Sequence, residues 1–131
     1  MQAVDRIPDE PPRVLVVDDD QEVREVLRDL LVLDGFPVST AAAGLPALLR
    51  IGRERPDCVV LDLKLEDISG FEVYRVLRAD PEFCRLPVLL VSGAYSDSDW
   101  VSRQVGTGPV RYLSKPIIHE DLVSAIRALV G

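Results

Sequence analysis

The sequence is poor in the residues from which thiolate, imidazole and redox sites are built. Only two cysteines occur, Cys58 and Cys84. One lies in an apolar run, the other in a polar connection, and their separation has no metal-type spacing. That argues against a disulfide framework and for two unpaired thiols in a reducing compartment. His119 is the only histidine. No phosphohistidine helix or catalytic dyad can be built around it, and it reads as a surface residue near the last helix. No apolar run approaches ~18 residues, so no membrane-spanning helix is expected. The N-terminus is polar and lacks an apolar signal region, which makes the cytoplasm the expected compartment. Basic residues are in deficit: 15 Lys+Arg against 22 Asp+Glu give a net charge of −7. An acidic surface argues against direct nucleic-acid binding and suits a divalent cation or a basic protein patch.

What is present is one domain's worth of chain. The 131 residues are 47% hydrophobic and 28% charged, a globular balance. Residues 1–12 carry Pro8, Pro11 and Pro12 among acidic residues and read as a flexible leader. Residues 13–131 then alternate between short apolar runs and amphipathic stretches. Arg13 to Val17 is a buried-strand run that stops on Asp18-Asp19-Asp20. From Gln21 to Leu33 the apolar residues Val23, Val26, Leu27, Leu30 and Leu31 recur with helical spacing. Asp19 or Asp20 can cap that helix, and Asp34-Gly35 ends it.

Phe36 to Ala41 is a short strand, placed at an edge by Pro37. Leu45 to Arg53 is a helix with Pro46 in its first turn and Leu45, Leu48 and Leu49 on one face. Cys58-Val59-Val60-Leu61-Asp62 is a strand buried on both faces and closed by a carboxylate. Ser69-Gly70-Phe71-Glu72 has capping-box form and opens a helix expected to bury Val73, Val76 and Leu77. Val88 to Val91 is a fourth strand, ending on Ser92-Gly93. Ser96 to Val105 is a weakly patterned, polar helix. Val110 to Ser114 is a fifth strand, running into Lys115-Pro116. Leu122, Ala125, Ile126, Leu129 and Val130 line a last helix.

Five strands alternating with five helices predict a doubly wound α/β domain. The expected sheet is parallel, in the order 2-1-3-4-5, with helices on both faces. In such sheets the ligand sits beyond the carboxyl ends of the strands. Those ends offer Asp18 and Asp19, Asp62, Ser92 and Lys115, and the strand order makes them converge. Crowded carboxylates call for a cation, and Mg²⁺ (or Mn²⁺) suits an all-oxygen site with few protein ligands. With Lys115 and Ser92 beside it, Asp62 is placed to act as a carboxylate nucleophile forming an acyl phosphate.

These residues carry a resemblance. Val-Leu-Val-Val-Asp18-Asp19-Asp20, Val-Val-Leu-Asp62 followed by Ser69-Gly70, Pro87-Val-Leu-Leu-Val-Ser92-Gly93 and Tyr112-Leu-Ser-Lys115-Pro116 occur in order at the right spacings. From Arg13 to Val130 the chain resembles the receiver domain of two-component response regulators. The resemblance implies phosphoryl transfer from a phosphohistidine, on a histidine kinase or phosphotransfer protein, to Asp62. It implies Asp19 as a direct Mg²⁺ ligand, Asp18 assisting through water, and the backbone carbonyl of Lys64 as a further ligand. Ser92 and Lys115 would contact the phosphoryl oxygens, and Tyr112 holds the aromatic switch position. Pro116 is expected to be cis, so that Lys115 turns back into the crevice. Output would pass through the face formed by the 96–105 helix, the fifth strand and the last helix, carrying Trp100. That face would serve a downstream protein, an output domain or a homodimer. The chain stops just after the last helix, which reads as a stand-alone or excised receiver rather than one joined to a DNA-binding domain.

Three positions depart from the family pattern. Glu66 stands where a proline is usual, and Asp67 beside it adds charge, so the loop after Asp62 is expected to be less rigid. Gly93 replaces a small alanine, and Ile117 replaces an aromatic. Other functions fit less well. An aspartate-nucleophile phosphatase needs an acid/base aspartate two residues after the nucleophile, where Lys64 stands. An FMN site needs a loop rich in Ser, Thr and Gly after the first strand. A non-phosphorylated interaction module would not need all five reactive groups. A receiver is therefore expected to be a signalling domain, catalysing only its own phosphorylation and dephosphorylation.

Overall fold

The computed structural model of the protein describes residues 10–93, 103 and 108–131. Most of the leader, Trp100 and nearly all of the helix expected over 96–105 lie outside the described residues. The chain order is β1 (Val14–Val17), α1 (Gln21–Leu33), β2 (Val38–Ala41), α2 (Gly44–Glu54), β3 (Cys58–Asp62), α3 (Gly70–Ala79), β4 (Val88–Ser92), β5 (Val110–Ser114) and α4 (His119–Val130). All five strands are parallel, in the order β2-β1-β3-β4-β5. The central strands β1, β3 and β4 are buried along their whole length. That is why they read as unbroken Val/Leu runs rather than alternating ones. The edge strands β2 and β5 are only half-buried.

Alternation along each strand divides the core between the two sheet faces. Leu15, Val17, Val59, Leu61, Val88 and Leu90 pack with Ala47 and Ile51 of α2 and Phe71, Val73, Tyr74 and Leu77 of α3. Val14, Val16, Cys58, Val60, Leu89 and Val91 pack with Leu27 and Leu31 of α1 and Leu122, Ala125 and Ile126 of α4. Each fully buried aliphatic side chain contributes about 1.5–3 kcal/mol through burial, so the central strands dominate the stability.

The helix ends follow from local chemistry. Asp20 caps α1 by accepting from the amides of Glu22 and Val23, and Gly35 ends it at a positive φ of 89°. Ser69 caps α3 by accepting from the Glu72 amide at 3.1 Å. Helix α2 has no such residue: Ala43 at its N-cap makes no side-chain bond.

Two faces differ from expectation. On α2, Leu45 and Leu49 are 54% and 67% exposed, whereas Ala47 and Ile51 are buried. A Cβ at Gly44 would lie 2.6 Å from Ile68 and 2.9 Å from Val73, so the helix turns its Gly44, Ala47 and Ile51 stripe inward, with Leu48 packed against the core as expected. On α3, Val76 is exposed and Phe71 and Tyr74 take the inward positions with Val73 and Leu77. Strand β2 also starts two residues later than Phe36, because Pro37 has no amide to donate to the ladder.

Arg78, near the end of α3, closes the pole opposite the strands' carboxyl ends. Its Nη1 donates to the carbonyls of Leu86 at 2.8 Å and Phe83 at 3.4 Å, and Nη2 donates to that of Pro109 at 2.9 Å. The guanidinium lies over the Tyr74 ring, 4.8 Å from its centroid. One planar cation thus ties α3 to the segments entering β4 and β5. Arg78→Ala should lower stability by about 2 kcal/mol, since the Leu86 carbonyl loses its charged donor, whereas those of Phe83 and Pro109 keep the amides of Leu86 and Val88. Arg78→Lys should recover less than half of that loss, because a single ammonium cannot span both segments. Urea unfolding of the three proteins measures both.

Candidate functional site

Parallel strands deliver their carboxyl ends to one side of the sheet, and the register sets which residues meet there. Val17 pairs with Leu61, and Asp62 pairs with Val91, so Asp18, Asp62 and Ser92 leave the sheet side by side. Ser92 pairs with Ser114, one residue before Lys115. The Lys115 amide donates to the Ser92 carbonyl at 2.8 Å, and the Lys115–Pro116 peptide is cis.

Lys115 joins the cluster together. Its Nζ lies 3.1 Å from Asp18 Oδ2 and 3.0 Å from Asp62 Oδ2. Both carboxylates are nearly sealed from solvent, at 1% and 5% exposure. Asp18 Oδ1 accepts from the Asp20 amide at 2.9 Å, and Asp62 Oδ1 accepts from the Lys64 amide at 3.1 Å. Asp19 is exposed, on the open side. Among the described residues, carboxylate oxygens of Asp18, Asp19 and Asp62 lie within 4.8 Å of one another.

One ammonium shared between two buried carboxylates cannot neutralise both. Burial pushes the Asp62 carboxyl above the usual range, the Lys64 amide and Lys115 pull it down, and the charge of Asp18 adds to the rise. For Lys115, burial alone would lower the pKa, but the bonds and charges of the two carboxylates outweigh it and raise it. The cluster is therefore short of positive charge. An all-oxygen donor set with excess negative charge fits a hard divalent cation of the Mg²⁺ class.

Several positions fix this geometry without being reactive. Arg24 of α1 donates through Nη1 to the Asp18 carbonyl at 2.7 Å. Gly70 is required by space: a Cβ there would lie 2.0 Å from the Asp62 carbonyl oxygen. Asp67 is not the loosening charge expected of it. Its two carboxylate oxygens accept from the amides of Gly44 and Leu45 at 2.8 and 2.7 Å, which supplies α2 with the cap that Ala43 does not. A helix start presents unpaired amides and a positive dipole end, so this carboxylate fastens the loop instead of freeing it. Arg24 and Asp67 escaped sequence reading because their partners are a carbonyl and two amides, groups every residue carries.

The remaining expected positions are placed as follows. Ser92 is buried at the end of β4. Tyr112 is half-buried on β5, beside Leu90 in the register, and packs against the core on the α2 and α3 side. Lys64 is exposed, with its amide on Asp62. Gly93 has open space where a Cβ would stand, so packing does not demand glycine there. Ile117 packs against the core on the α1 and α4 side. His119 opens α4, and its Nε2 pairs with Asp34.

Comparison with known proteins agrees with this geometry. The model of the response regulator receiver domain family matches residues 14–127. The chain is 42% identical over 120 residues to the response regulator MprA of Mycobacterium sp. (strain KMS), covering 92% of this chain and 51% of that protein. It is 41% identical over 118 residues to MprA of Mycobacterium leprae (strain TN), covering 90% and 50%. It therefore spans about half the length of these curated relatives. The structure of the chemotaxis protein CheY4 of Vibrio cholerae superposes with a TM-score of 0.80 at 26% identity, covering 91% of this chain and 98% of that one. A CheY-like receiver domain protein of Methanospirillum hungatei JF-1 superposes with a TM-score of 0.77 at 25% identity, covering 92% and 94%. With its sheet order, its acidic crevice and the family match over nearly all of its length, the chain belongs to the response regulator receiver domains.

Proposed function

We propose that this receiver domain accepts a phosphoryl group on Asp62 from a phosphohistidine of a histidine kinase or phosphotransfer protein, in a Mg²⁺-dependent (or Mn²⁺-dependent) reaction. The observation that carries the reading is a carboxylate sealed at the end of a central strand, bonded to Lys115 and crowded by Asp18 and Asp19. An Asp62 carboxylate oxygen attacks phosphorus as the bond from phosphorus to the imidazole nitrogen breaks. The departing imidazole keeps the electron pair of that bond. Asp19, Asp18, Asp62 and the Lys64 carbonyl would hold the cation, which supplies Lewis-acid neutralisation of the phosphoryl oxygens. Lys115 and Ser92 stabilise the same oxygens as charge develops, a preorganised electrostatic role.

The domain so described is a signalling element of the cytoplasm that promotes only its own phosphorylation and dephosphorylation. A groove of about 580 Å³ beside Lys115, lined by Val23, Val26, Leu30, Pro116 and Ile117 among others, gives a donor protein an apolar approach. The output reading rests on Ser92 and Tyr112. Phosphorylation draws Ser92 toward the phosphoryl oxygens, Tyr112 moves into the vacated space, and the surface of β5 and α4 changes shape. That face would serve a downstream protein, an output domain or a second copy. A near-complete swap between two such arrangements needs about 5.5 kcal/mol of differential interaction.

Three outcomes test this. Acetyl phosphate with Mg²⁺ should add one phosphoryl mass to the protein and none to Asp62→Asn, and Lys115→Ala should slow labelling by about 100-fold. Labelling without a divalent cation, or on another residue, refutes the mechanism. A beryllofluoride mimic with Mg²⁺ should shift the amides of Tyr112 and α4 in wild type and leave them nearly unmoved in Ser92→Ala. Shifts confined to the Asp62 crevice would remove β5 and α4 as the output face. Finally, carboxyl-carbon NMR without Mg²⁺ should show Asp62 titrating above the ordinary ~3.9. Because the native state then holds that proton more tightly than the unfolded chain, stability should fall as pH rises from about 4 through the Asp62 midpoint. Lys115→Ala should move the midpoint further up.

A further inference from the structure

We infer that Asp67 is a positioning residue for the phosphoacceptor loop: by clasping the N-terminus of α2 it fixes the segment that presents Lys64 to the acidic cluster. The inference rests on the Mg²⁺-dependent reading of the site given above.

The loop over 63–69 is fastened at both ends. The Leu63 amide donates to the Val91 carbonyl, and the Gly70 amide donates back to the Leu63 carbonyl, each at 2.9 Å. Between these ends the chain swings out to α2. There Asp67 accepts from two amides, one with each carboxylate oxygen, across 22 and 23 residues of sequence. Ile68 seals the same joint: a Cβ on Gly44 would lie 2.6 Å from Ile68 Cγ1, so the two segments are in contact with no room for a side chain. Lys64, Leu65 and Glu66 are thus strung between a fixed Leu63 and a fixed Asp67. Leu65 packs on the core, and the Lys64 amide holds Asp62 Oδ1 at 3.1 Å. Releasing Asp67 frees one end of the segment whose other end orients the phosphoacceptor.

The joint is strong although Asp67 itself is exposed. The amides of Leu45 and Gly44 hold its carboxyl down at about 2, so it stays ionised over the whole working pH range. Among the described residues it is also the side-chain cap of α2 at that end, Ala43 contributing none. Two rival roles for Asp67 are stabilising α2 alone and adding one more negative charge near the cation. Substitutions separate these accounts.

The experiment is a Mg²⁺ titration read by amide NMR on wild type, Asp67→Ala, Asp67→Asn and the double variant Asp67→Ala/Ala43→Ser, each also unfolded in urea. Asp67→Asn removes the charge and keeps one accepting oxygen. Ala43→Ser gives α2 a cap from its own N-cap position and leaves the loop untethered. The expected result is Mg²⁺ binding about tenfold weaker in Asp67→Ala, the scale on which residues that orient ligands without touching the metal act. Asp67→Asn should bind clearly more tightly than Asp67→Ala. The double variant should regain stability in urea but not Mg²⁺ affinity. Wild-type affinity in Asp67→Ala overturns the inference. So does an Asp67→Asn as weak as the alanine, which makes charge the cause, or recovery of affinity in the double variant, which makes helix stability the cause. Wild type itself must bind Mg²⁺ and be labelled on Asp62. Its failure to do so removes the proposed function and this inference with it, whereas a wild type that does both beside an unaltered Asp67→Ala removes only the inference.

Discussion

The ammonium of Lys115, held between Asp18 and Asp62, is the contact on which the rest of the architecture turns. Two carboxylates buried side by side without it would face both desolvation and mutual repulsion, and removing one partner from a buried ion cluster typically costs about 3–5 kcal/mol. Bringing that cation in takes the whole sheet. Lys115 is 97 residues from Asp18 and 53 from Asp62, and only the β1-β3-β4-β5 adjacency closes those distances. The β5 edge strand, itself only half-buried, is therefore essential for the site even though it adds little to the core.

The cluster is arranged for function at some expense of stability. Burial raises the Asp62 carboxyl despite its bonds to Lys64 and Lys115, which marks a site left short of positive charge. Stability comes from elsewhere: from β1, β3 and β4, buried throughout, and from the two helical layers that cover them. The opposite pole of the sheet is closed by Arg78 reaching backbone carbonyls and by Arg13 pairing with Asp57. Reactive groups thus gather where the strands end, and, among the described residues, the pole where they begin carries clamps alone. Such a division lets the crevice carry uncompensated charge without loosening the core.

Backbone groups do much of the aiming. Asp18 is held through an amide of its own loop and its carbonyl by Arg24. Asp62 is held through the Lys64 amide and by a backbone approach that only Gly70 permits. Asp67 holds two amides of α2. These contacts cost little sequence information, since any residue offers an amide and a carbonyl, yet they set the positions of the reactive side chains to within hydrogen-bonding tolerance.

The sequence by itself determined the layer architecture, the strand order and the reactive residue types. Unbroken runs such as Val59-Val60-Leu61 can be satisfied only between two covering layers, and carboxylates or a lysine directly after such runs must emerge at one end of the sheet. Capping chemistry was equally legible where it is local, as at Asp20 and Ser69, whose partner amides lie two or three residues on. Tertiary structure decided what depends on partners distant in sequence. It chose the Gly44, Ala47 and Ile51 stripe of α2 over Leu45 and Leu49, because close approach to Ile68 and Val73 outweighed hydrophobicity. It also turned Asp67 from an added loop charge into the cap of a helix 22 residues upstream, since a carboxylate declares its charge in the sequence but not the amides it will meet.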